Sequence, residues 1–350
     1  MIYVVGGSIG KAKVTISDVA RAAGVSSSAV SYALNDKPGV SSETREKVLR
    51  VAETMGWKPN SAAKALSDAS TRSIGLVLSM NPEVFAVESY AMALIAGLGT
   101  ELEKRDYSLL LRIVPDTSSA LRIHRNWIAS GSVDAALVTN VEIGDPRIEL
   151  YKEHPESPVL VIADPSVTKG LPTLSSDEAH GARQIVDCLH ELGHRHIARI
   201  AGPERFAHTF VRDRIFNEET VALGMRYDCL HSDYTPEQGG ECTSRLLSFP
   251  DSPTAIVYDN DVMAIEGMRV ALEQGLSVPD DISIVSWDDS FMCTVTTPSI
   301  TALWRDIPRL GSRAVPMLFK QIDGEKVSNA TESPYELMVR DSVAPPVNGE

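Results

Sequence analysis

The chain has 350 residues, more than one ordinary domain, so two or three domains are expected. Hydrophobic residues make up 43% of it and charged residues 23%, which is typical of a globular protein and excludes a fibrous or disordered one. No apolar run approaches the ~20 residues that cross a bilayer, and the start lacks the basic region and cleavage site of a secretory signal. Four cysteines without a Cys-x-x-Cys pair suit free thiols, and the sequence therefore predicts a cytoplasmic protein.

The net charge of −14 is unevenly distributed along the chain. Residues 13–72 carry nine Lys or Arg against six Asp or Glu, so the excess of negative charge lies further on. A mildly basic head on an acidic body is compatible with nucleic-acid binding confined to the head.

The first predicted elements are three short helices. Thr15, with Asp18 three residues later, gives a capping-box pattern at the start of the first helix, which Gly24 ends. Ser26 is the predicted cap of the second helix and Ser42 that of the third. Two short helices separated by Gly-Val-Ser have the spacing of a helix-turn-helix.

Hydroxyl groups crowd the outward face of the second helix, which carries Ser27, Ser28, Ser31 and Tyr32. Hydroxyls can bond to phosphate oxygens or to base edges in the major groove. A solvated surface is the alternative for any serine-rich helix face. The position on the second helix of a helix-turn-helix favours DNA.

A conditional helix is predicted after Pro59, where Asn60 can cap the stretch "SAAKALS". Isolated helices below ~12–15 residues are marginal in water, so this one is expected to form only against a partner. Ala63 would allow close approach of a second helix. Leu66 has no core of its own to enter and could unstack a base step from the minor groove.

Residues 15–67, from "TISDVARAAG" through "GVSSSAVSYALN" to "SAAKALS", resemble the DNA-binding headpiece and hinge of the lac repressor (LacI/GalR) family of bacterial transcription regulators. The resemblance implies that Ser27, Ser28 and Tyr32 read bases, that other polar groups face phosphates, and that Leu66 enters the operator centre. The expected DNA-binding set is Thr15, Ser26, Ser27, Ser28, Ser31, Tyr32, Asn35, Asn60, Ala63, Lys64 and Leu66.

From residue 74 onward, short apolar runs alternate with helical stretches. This alternation predicts an α/β fold with parallel sheets covered on both faces, divided into two lobes. Helices are predicted at 88–105, 177–192 and 260–275. Strands are predicted at 74–79, 108–114, 135–139, 158–163, 196–202, 255–259 and 282–287.

The stretches "DEAHGARQIVDCLHELGHRHIARIAGP" and "PTAIVYDNDVMAIEGMRVALEQGLSVPDDISIVSWDDS" are similar to the effector-binding core of the same family, a relative of periplasmic sugar-binding proteins. The chain is expected to cross between lobes near residue 164 and again between 288 and 305. The expected organisation is a leader (1–13), a headpiece (14–59), a hinge helix and linker (60–73), a core (74–343) with a first lobe (74–163 and 302–325) and a second lobe (164–290 and 326–343), and a tail (344–350).

The same resemblance implies an effector site between the lobes. Arg212 stands at the arginine of an Arg-x-x-Gly-Phe pattern, in which Ile215 replaces the glycine and is expected to reshape the pocket. Asn260 and Asp288 are the other strong matches, although each could instead cap or pair within its own lobe. The expected effector-binding set is Asn81, Phe85, Asp164, Arg212, Tyr234, Asn260, Asp288 and Arg305, with Tyr234, Trp287 or Trp304 supplying an aromatic face. Such carboxylates, planar donors and rings suit a polyol.

No residues point to catalysis, a metal or a cofactor. The spacing of Cys188, His190, His194 and His196 fits no structural zinc pattern, and no nucleophile elbow is present. The predicted function is therefore a homodimeric repressor of carbohydrate-utilisation genes that binds a pseudo-palindromic double-stranded operator and a sugar-like effector. The alternative is a corepressor-dependent regulator responding to a purine, a sugar phosphate or a partner protein.

Overall fold

The computed structural model describes residues 14–57, 70–332 and 335–347. The chain divides into two compact units at the boundary between Ser70 and Thr71. The leader and four members of the expected DNA-binding set (Asn60, Ala63, Lys64 and Leu66) lie outside the described residues. None of the helices in the described part of the chain combines the length and apolar character of a membrane span.

The first unit contains three helices, α1 (Ile16–Ala23), α2 (Ser27–Leu34) and α3 (Ser42–Thr54). Both halves of the predicted capping box are present at Thr15 and Asp18, and the Ser26 hydroxyl accepts the Ala29 amide at 3.1 Å. The third cap differs by one residue. Ser41 accepts the Thr44 amide at 3.3 Å, because Ser42 already has helical backbone geometry.

A small apolar core closes the headpiece. Each helix contributes one stripe of apolar side chains to this core, and the opposite face of each helix stays in solvent. The cluster consists of Val19, Ala20, Ala23, Val30, Ala33, Val48 and Ala52.

The second unit holds two six-stranded sheets, one in each lobe. In the first lobe all strand pairs are parallel and the order is β11-β5-β4-β3-β1-β2. Its strands are β1 (Ser73–Ser79), β2 (Ser108–Val114), β3 (Ala135–Val138), β4 (Val159–Ile162), β5 (Thr173–Ser175) and β11 (Ala330–Thr331). Its helices are α4 (Pro82–Val87), α5 (Ser89–Glu103), α6 (Thr117–Ser130), α7 (Pro146–Glu153) and α13 (Ile307–Ile322).

The second lobe repeats this plan with the order β12-β10-β9-β8-β6-β7, in which only β12 is antiparallel. Its strands are β6 (His196–Ala201), β7 (Arg226–His231), β8 (Ala255–Tyr258), β9 (Ser283–Ser286), β10 (Thr301–Trp304) and β12 (Glu336–Met338). Its helices are α8 (Glu178–Glu191), α9 (Ala207–Ala222), α10 (Pro236–Leu247), α11 (Asp261–Glu273) and α12 (Phe291–Val295).

The lobe boundaries differ from the expected ones at all three crossovers between the lobes. Asp164 only caps a short 3-10 turn, after which β5 still joins the first sheet, so the first crossover lies between Ser175 and Glu178. β10 belongs to the second sheet, because it pairs with β9 and β12, and the chain returns to the first lobe only at α13. β11 pairs with β5, which moves the third crossover to the stretch before β12.

All seven predicted strands are present, and the described residues form five further strands that were not predicted. β7 is an edge strand with a half-exposed, charged pattern, and β5, β11 and β12 have only two or three residues each. Such strands carry no apolar run of the length that marks a buried strand.

Candidate functional site

The outward face of α2 carries the expected base-reading side chains. Ser27, Ser28 and Tyr32 are exposed, whereas Ser31 is half-buried. The Asn35 amide donates to the Ser31 carbonyl at 3.0 Å and closes the end of the helix. The structure therefore places three hydroxyl-bearing side chains in solvent on one face of the second helix.

The ring of Tyr32 lies against Gly39 in the turn after α2. Gly39 has a φ of +113°, and a Cβ built there would stand 3.4 Å from Cδ2 of Tyr32. The glycine thus gives the turn its conformation and leaves room for the ring. Thr15 and Ser26 serve as helix caps, so a phosphate contact by either would add to that structural role.

A cavity of about 330 Å³ lies between the lobes of the second unit, at the carboxyl ends of the parallel strands. Ligands of open α/β sheets bind at this edge. Phe85 of the expected set does not line it, because its ring packs against the apolar core of the first lobe. The expected residues that do line the cavity are Asn81, Asp164, Arg212, Tyr234, Asn260, Asp288 and Arg305.

Arg212, on the first turns of α9, is the centre of the second-lobe wall. Its Nε donates to Glu178 Oε2 at 2.6 Å, and its Cζ lies 4.0 Å from the ring centre of Trp287. Trp287 is fully buried beneath the guanidinium and offers no face to a ligand, contrary to expectation. Trp304 is 43% exposed and lies outside the cavity lining, and Ile215 packs in the second-lobe core.

Asp259 is fixed at the floor of the same wall. Two hydrogen bonds of 2.7 Å join its carboxylate to Arg199, and the Gly202 amide donates to it at 3.0 Å. Burial alone would raise the pKa of Asp259, but the charges of Arg199 and Arg212 outweigh it and lower this pKa. The carboxylate therefore stays ionised and holds two arginines in place.

Arg305 and Asp288 stand near the crossover between β10 and α13. Arg305 donates to the Ser176 hydroxyl at 3.0 Å, lies between the rings of Tyr90 and Tyr335, and is 3.6 Å from Asp288. Oδ1 of Asp288 is buried and accepts no hydrogen bond within the described structure. Burial raises the pKa of Asp288 to about 6, against the opposing charge of Arg305.

An aromatic wall is formed by Phe206, His208 and Tyr234. The rings of Phe206 and His208 stack at 5.4 Å, and Nε2 of His208 lies 2.7 Å from the Tyr234 hydroxyl. Burial lowers the pKa of His208 to about 3, so the imidazole is neutral at pH 7. Asn260 caps α11 through the Met263 amide and donates to the Tyr234 carbonyl at 3.2 Å, which fixes the residue that completes the wall.

Sequence reasoning missed part of the lining. Glu178 and Asp259 were within stretches already recognised ("DEAH" and "DND"), and Phe206 and His208 follow the end of β6, where a ligand edge is expected. Glu88 and Tyr90 belong to the first lobe, and no local pattern marked them. The missed lining residues with polar or aromatic side chains include Glu88, Tyr90, Glu178, Phe206, His208 and Asp259.

The lobes also touch beside the aromatic wall. The Ala207 amide donates to the Val141 carbonyl at 2.8 Å, and the Ile143 amide donates to the Arg205 carbonyl at 2.9 Å. Nε of Arg205 lies 3.1 Å from Glu142. The structure thus shows a cleft whose two lobes are joined at this side by main-chain hydrogen bonds.

Among the described residues, one cluster outside the cleft has metal-binding side chains. Asp213, Cys229 and His231 place one ligand atom each within 4.8 Å of one another. Arg199 already pairs with Asp213, and burial raises the pKa of the Cys229 thiol to about 12. A cation would have to displace that guanidinium and ionise the thiol, so the cluster is better explained as a hydrogen-bonded network.

Comparison with known proteins adds family membership to this geometry. Residues 15–60 match the model of bacterial regulatory proteins of the lacI family, and residues 186–343 match a periplasmic binding protein-like domain. The crystal structure of a LacI family transcriptional regulator from Bifidobacterium animalis subsp. lactis is 52% identical, covers 79% of this chain and all of its own, and superposes with a TM-score of 0.74. The chain belongs to the LacI family.

Further relatives span nearly the whole chain. The HTH-type transcriptional repressor PurR of Mannheimia succiniciproducens is 28% identical over 94% of this chain and 98% of its own. The lac repressor dimer bound to operator and the anti-inducer ONPF is 26% identical; the match covers 95% of this chain and 99% of the repressor chain, with a TM-score of 0.84. The CelR–cellobiose complex is 28% identical; the match covers 94% of this chain and 100% of the CelR chain, with a TM-score of 0.70. This LacI family member is a DNA-binding transcription regulator with an effector-binding core, and not an enzyme.

Proposed function

We propose that this regulator is a cytoplasmic, homodimeric repressor whose operator affinity changes when a neutral sugar binds between the lobes. The observation that carries the proposal is the cleft itself. Planar donors and carboxylate acceptors surround an aromatic wall, which is the arrangement that recognises hydroxyl pairs and apolar ring carbons. Two relatives support it, because one was solved with cellobiose and the other on its operator as a dimer.

The charges of the lining favour a neutral ligand over an anionic one. Each of its three arginines, Arg205, Arg212 and Arg305, lies within 4.0 Å of a carboxylate oxygen. A phosphate would have to break one of these pairs and would approach other carboxylates of the lining, including that of Asp164. A neutral polyol can bind without breaking an ion pair and is not repelled by these carboxylates.

The residue assignments follow the geometry, with one change from the expected set. Operator contacts are assigned to Thr15, Ser26, Ser27, Ser28, Ser31, Tyr32 and Asn35, together with the hinge positions Asn60, Ala63, Lys64 and Leu66. Effector contacts are assigned to Asn81, Asp164, Arg212, Tyr234, Asn260, Asp288 and Arg305, and Phe85 is replaced by Phe206 and His208. The headpiece at 14–59 and hinge at 60–73 would carry the effector signal from the core to DNA.

A second candidate is a corepressor-dependent regulator that responds to a purine. The similarity to PurR over 94% of the chain favours it. The flat aromatic wall of Phe206, His208 and Tyr234 is compatible with a purine ring as well as with a sugar face.

Thermal denaturation against a panel of free sugars, sugar phosphates and purines separates the candidates. A ligand at 100 times its dissociation constant stabilises the native state by about 2.7 kcal/mol, which shifts the melting temperature measurably. We expect a free sugar to give the shift, Asp288→Asn to abolish it, and the exposed-site control Arg214→Ala to retain it. A response confined to purines or sugar phosphates would replace the sugar by the second candidate.

The direction of the response is measured by operator binding with and without that ligand. An inducing sugar weakens binding and a corepressor strengthens it, with a coupling of about 1–3 kcal/mol, or 5–150-fold in affinity. The operator is obtained by selecting bound fragments from random DNA with the full-length protein.

A further inference from the structure

Glu88 reaches the cleft from the first lobe, on the side facing the second-lobe acids. It is the residue before α5, and its Oε2 accepts the Ala91 amide at 3.4 Å as the helix cap. Its side chain lines the cavity together with that of Asp288. The cap bond fixes the carboxyl group while leaving its other oxygen for a ligand.

Two second-lobe carboxyl groups face Glu88. Asp288 follows β9, and its buried Oδ1 accepts no hydrogen bond among the described residues. Asp261 is the first residue of α11, is 3% exposed, and bonds to the hydroxyls of Ser290 and of Ser89, the residue next to Glu88. Both second-lobe carboxyl groups therefore act electrostatically on Glu88, and Asp288 lines the cavity with it.

Two guanidinium groups act on these acids. Arg305 acts on both Glu88 and Asp288, whereas Arg212 acts on Asp288. Arg305 is also bonded to Ser176 and held between two tyrosine rings. On its own helix Glu88 has the buried phenol of Tyr90 as its titratable neighbour. Burial, then repulsion from Asp288, raise the pKa of Glu88 to about 8.

We propose that Glu88 is a specificity-determining residue that holds the effector as a neutral carboxyl group and donates a hydrogen bond to it from the first lobe. The inference rests on the proposed sugar function and adds the chemistry of one contact. A neutral carboxyl donates, whereas the ionised Asp288 accepts, and a single sugar hydroxyl can satisfy both. One ligand oxygen then joins the two lobes.

The pH dependence follows from the sign of the shift. In this structure the pKa of Glu88 is about 8, so the carboxyl group is neutral at pH 7 and ionises as the pH rises through 8. Binding that uses the donated proton is therefore strongest below pH 8 and weakens above it, by at most tenfold per pH unit for one proton. An anion-binding or purely structural role of Glu88 predicts no such slope.

The protonation state is tested without any ligand. Infrared spectra of the full-length protein at pH 7 are expected to show the carbonyl band of a protonated carboxylic acid, and Glu88→Gln is expected to remove it. Glu103→Gln, which changes the exposed carboxylate at the other end of α5, is the matched control and should retain the band. A wild-type spectrum without the band, or a band that survives Glu88→Gln, overturns the proposal.

The contact is tested by calorimetry between pH 7 and 9 with the free sugar that stabilises the protein most in the thermal panel. Wild type and Glu103→Gln should bind it more weakly as pH rises through 8, up to tenfold per unit, whereas Glu88→Gln should not show this loss. A flat wild-type profile overturns the proposal. If no sugar stabilises the protein, the sugar function fails, and the infrared result still decides whether Glu88 is protonated.

Discussion

The headpiece and the cleft hold polar groups ready for a ligand in different ways. On α2, Ser27 and Ser28 are exposed and hydrated, and they carry no charge. In the cleft, Arg212 is 5% exposed and its charge is balanced by Glu178 and Asp259. Removing an exposed hydroxyl costs little folding free energy, whereas removing one member of a buried ion pair leaves its partner unneutralised.

This difference separates the two kinds of ligand recognition. The headpiece can exchange its contact residues and keep its fold, because the small core of α1–α3 does not include them. The cleft cannot exchange its contact residues without affecting the fold. Arg212 lies on Trp287, and the network of charged side chains that contacts a ligand also joins α8, α9 and β8. Substitutions are therefore expected to separate binding from stability in the headpiece and to change both together in the cleft.

The largest effect is expected for Arg212→Ala. Loss of the guanidinium leaves Glu178 buried beside a cavity, which costs about 3–5 kcal/mol of the core's free energy of unfolding. Urea denaturation followed by tryptophan fluorescence measures it, since Trp287 lies beneath this side chain. The control Arg214→Ala, two residues on, breaks only an exposed pair with Glu218 and should cost less than about 1 kcal/mol. Equal losses in the two variants would contradict the buried-network account.

Acid pH is expected to weaken the core through His208. The unfolded chain takes up a proton near pH 6.5, whereas the native imidazole stays neutral until about pH 3, so stability is lost as pH falls below 6.5. Between pH 6.5 and 5 this residue should account for about 2 kcal/mol. His208→Gln should reduce the slope of melting temperature against pH, and the surface variant His154→Gln should leave it as in wild type. The buried His124, whose pKa is also lowered to about 3, keeps part of the slope in every variant.

Local signals account for the parts of the fold that were predicted. Capping at Thr15 and Ser26 involves residues three positions apart, and unbroken apolar runs mark β1 and β8 by themselves. Ser41 and Ser42 are equivalent as caps in the sequence, so the third helix start could not be resolved. Lobe membership of β10 depends on which sheet it completes, which no local pattern encodes.

The cleft was predictable only where a family pattern marked it. Arg212, Asn260 and Asp288 carried such patterns and do line the cavity. Glu88 acquires its raised pKa from burial and then from repulsion by Asp288, a residue of the other lobe that the crossovers bring close, and no local sequence pattern predicts either effect. Electrostatic properties of this kind arise from the tertiary fold.

Gly39→Ala tests whether the stability of the headpiece can change independently of operator binding by Tyr32. A residue with a Cβ at φ +113° is strained by about 1–2 kcal/mol, and its methyl group would contact the Tyr32 ring, 3.4 Å from Cδ2. We expect faster hydrogen exchange in the headpiece of the full-length protein and weaker operator binding. Gly24→Ala is the control, because it also places a Cβ at a positive φ (+65°), within the left-handed helical region and in open space. If operator affinity falls equally in both variants, the loss comes from backbone strain and not from a displaced Tyr32 ring.

The smallest effects on stability are expected for two serines at the start of α2, Ser26 and Ser28, which have different roles. Ser26→Ala removes the cap of α2 and should cost about 1 kcal/mol of headpiece stability, as seen by hydrogen exchange of its amides. Ser28→Ala removes an exposed hydroxyl and should change stability by less than about 0.5 kcal/mol. Its effect should appear instead in binding, as a loss of about 1 kcal/mol for the selected operator and no loss for random DNA. If Ser28→Ala weakens both DNAs alike, the side chain contacts the backbone rather than a base, and sequence reading must lie with Ser27 and Tyr32.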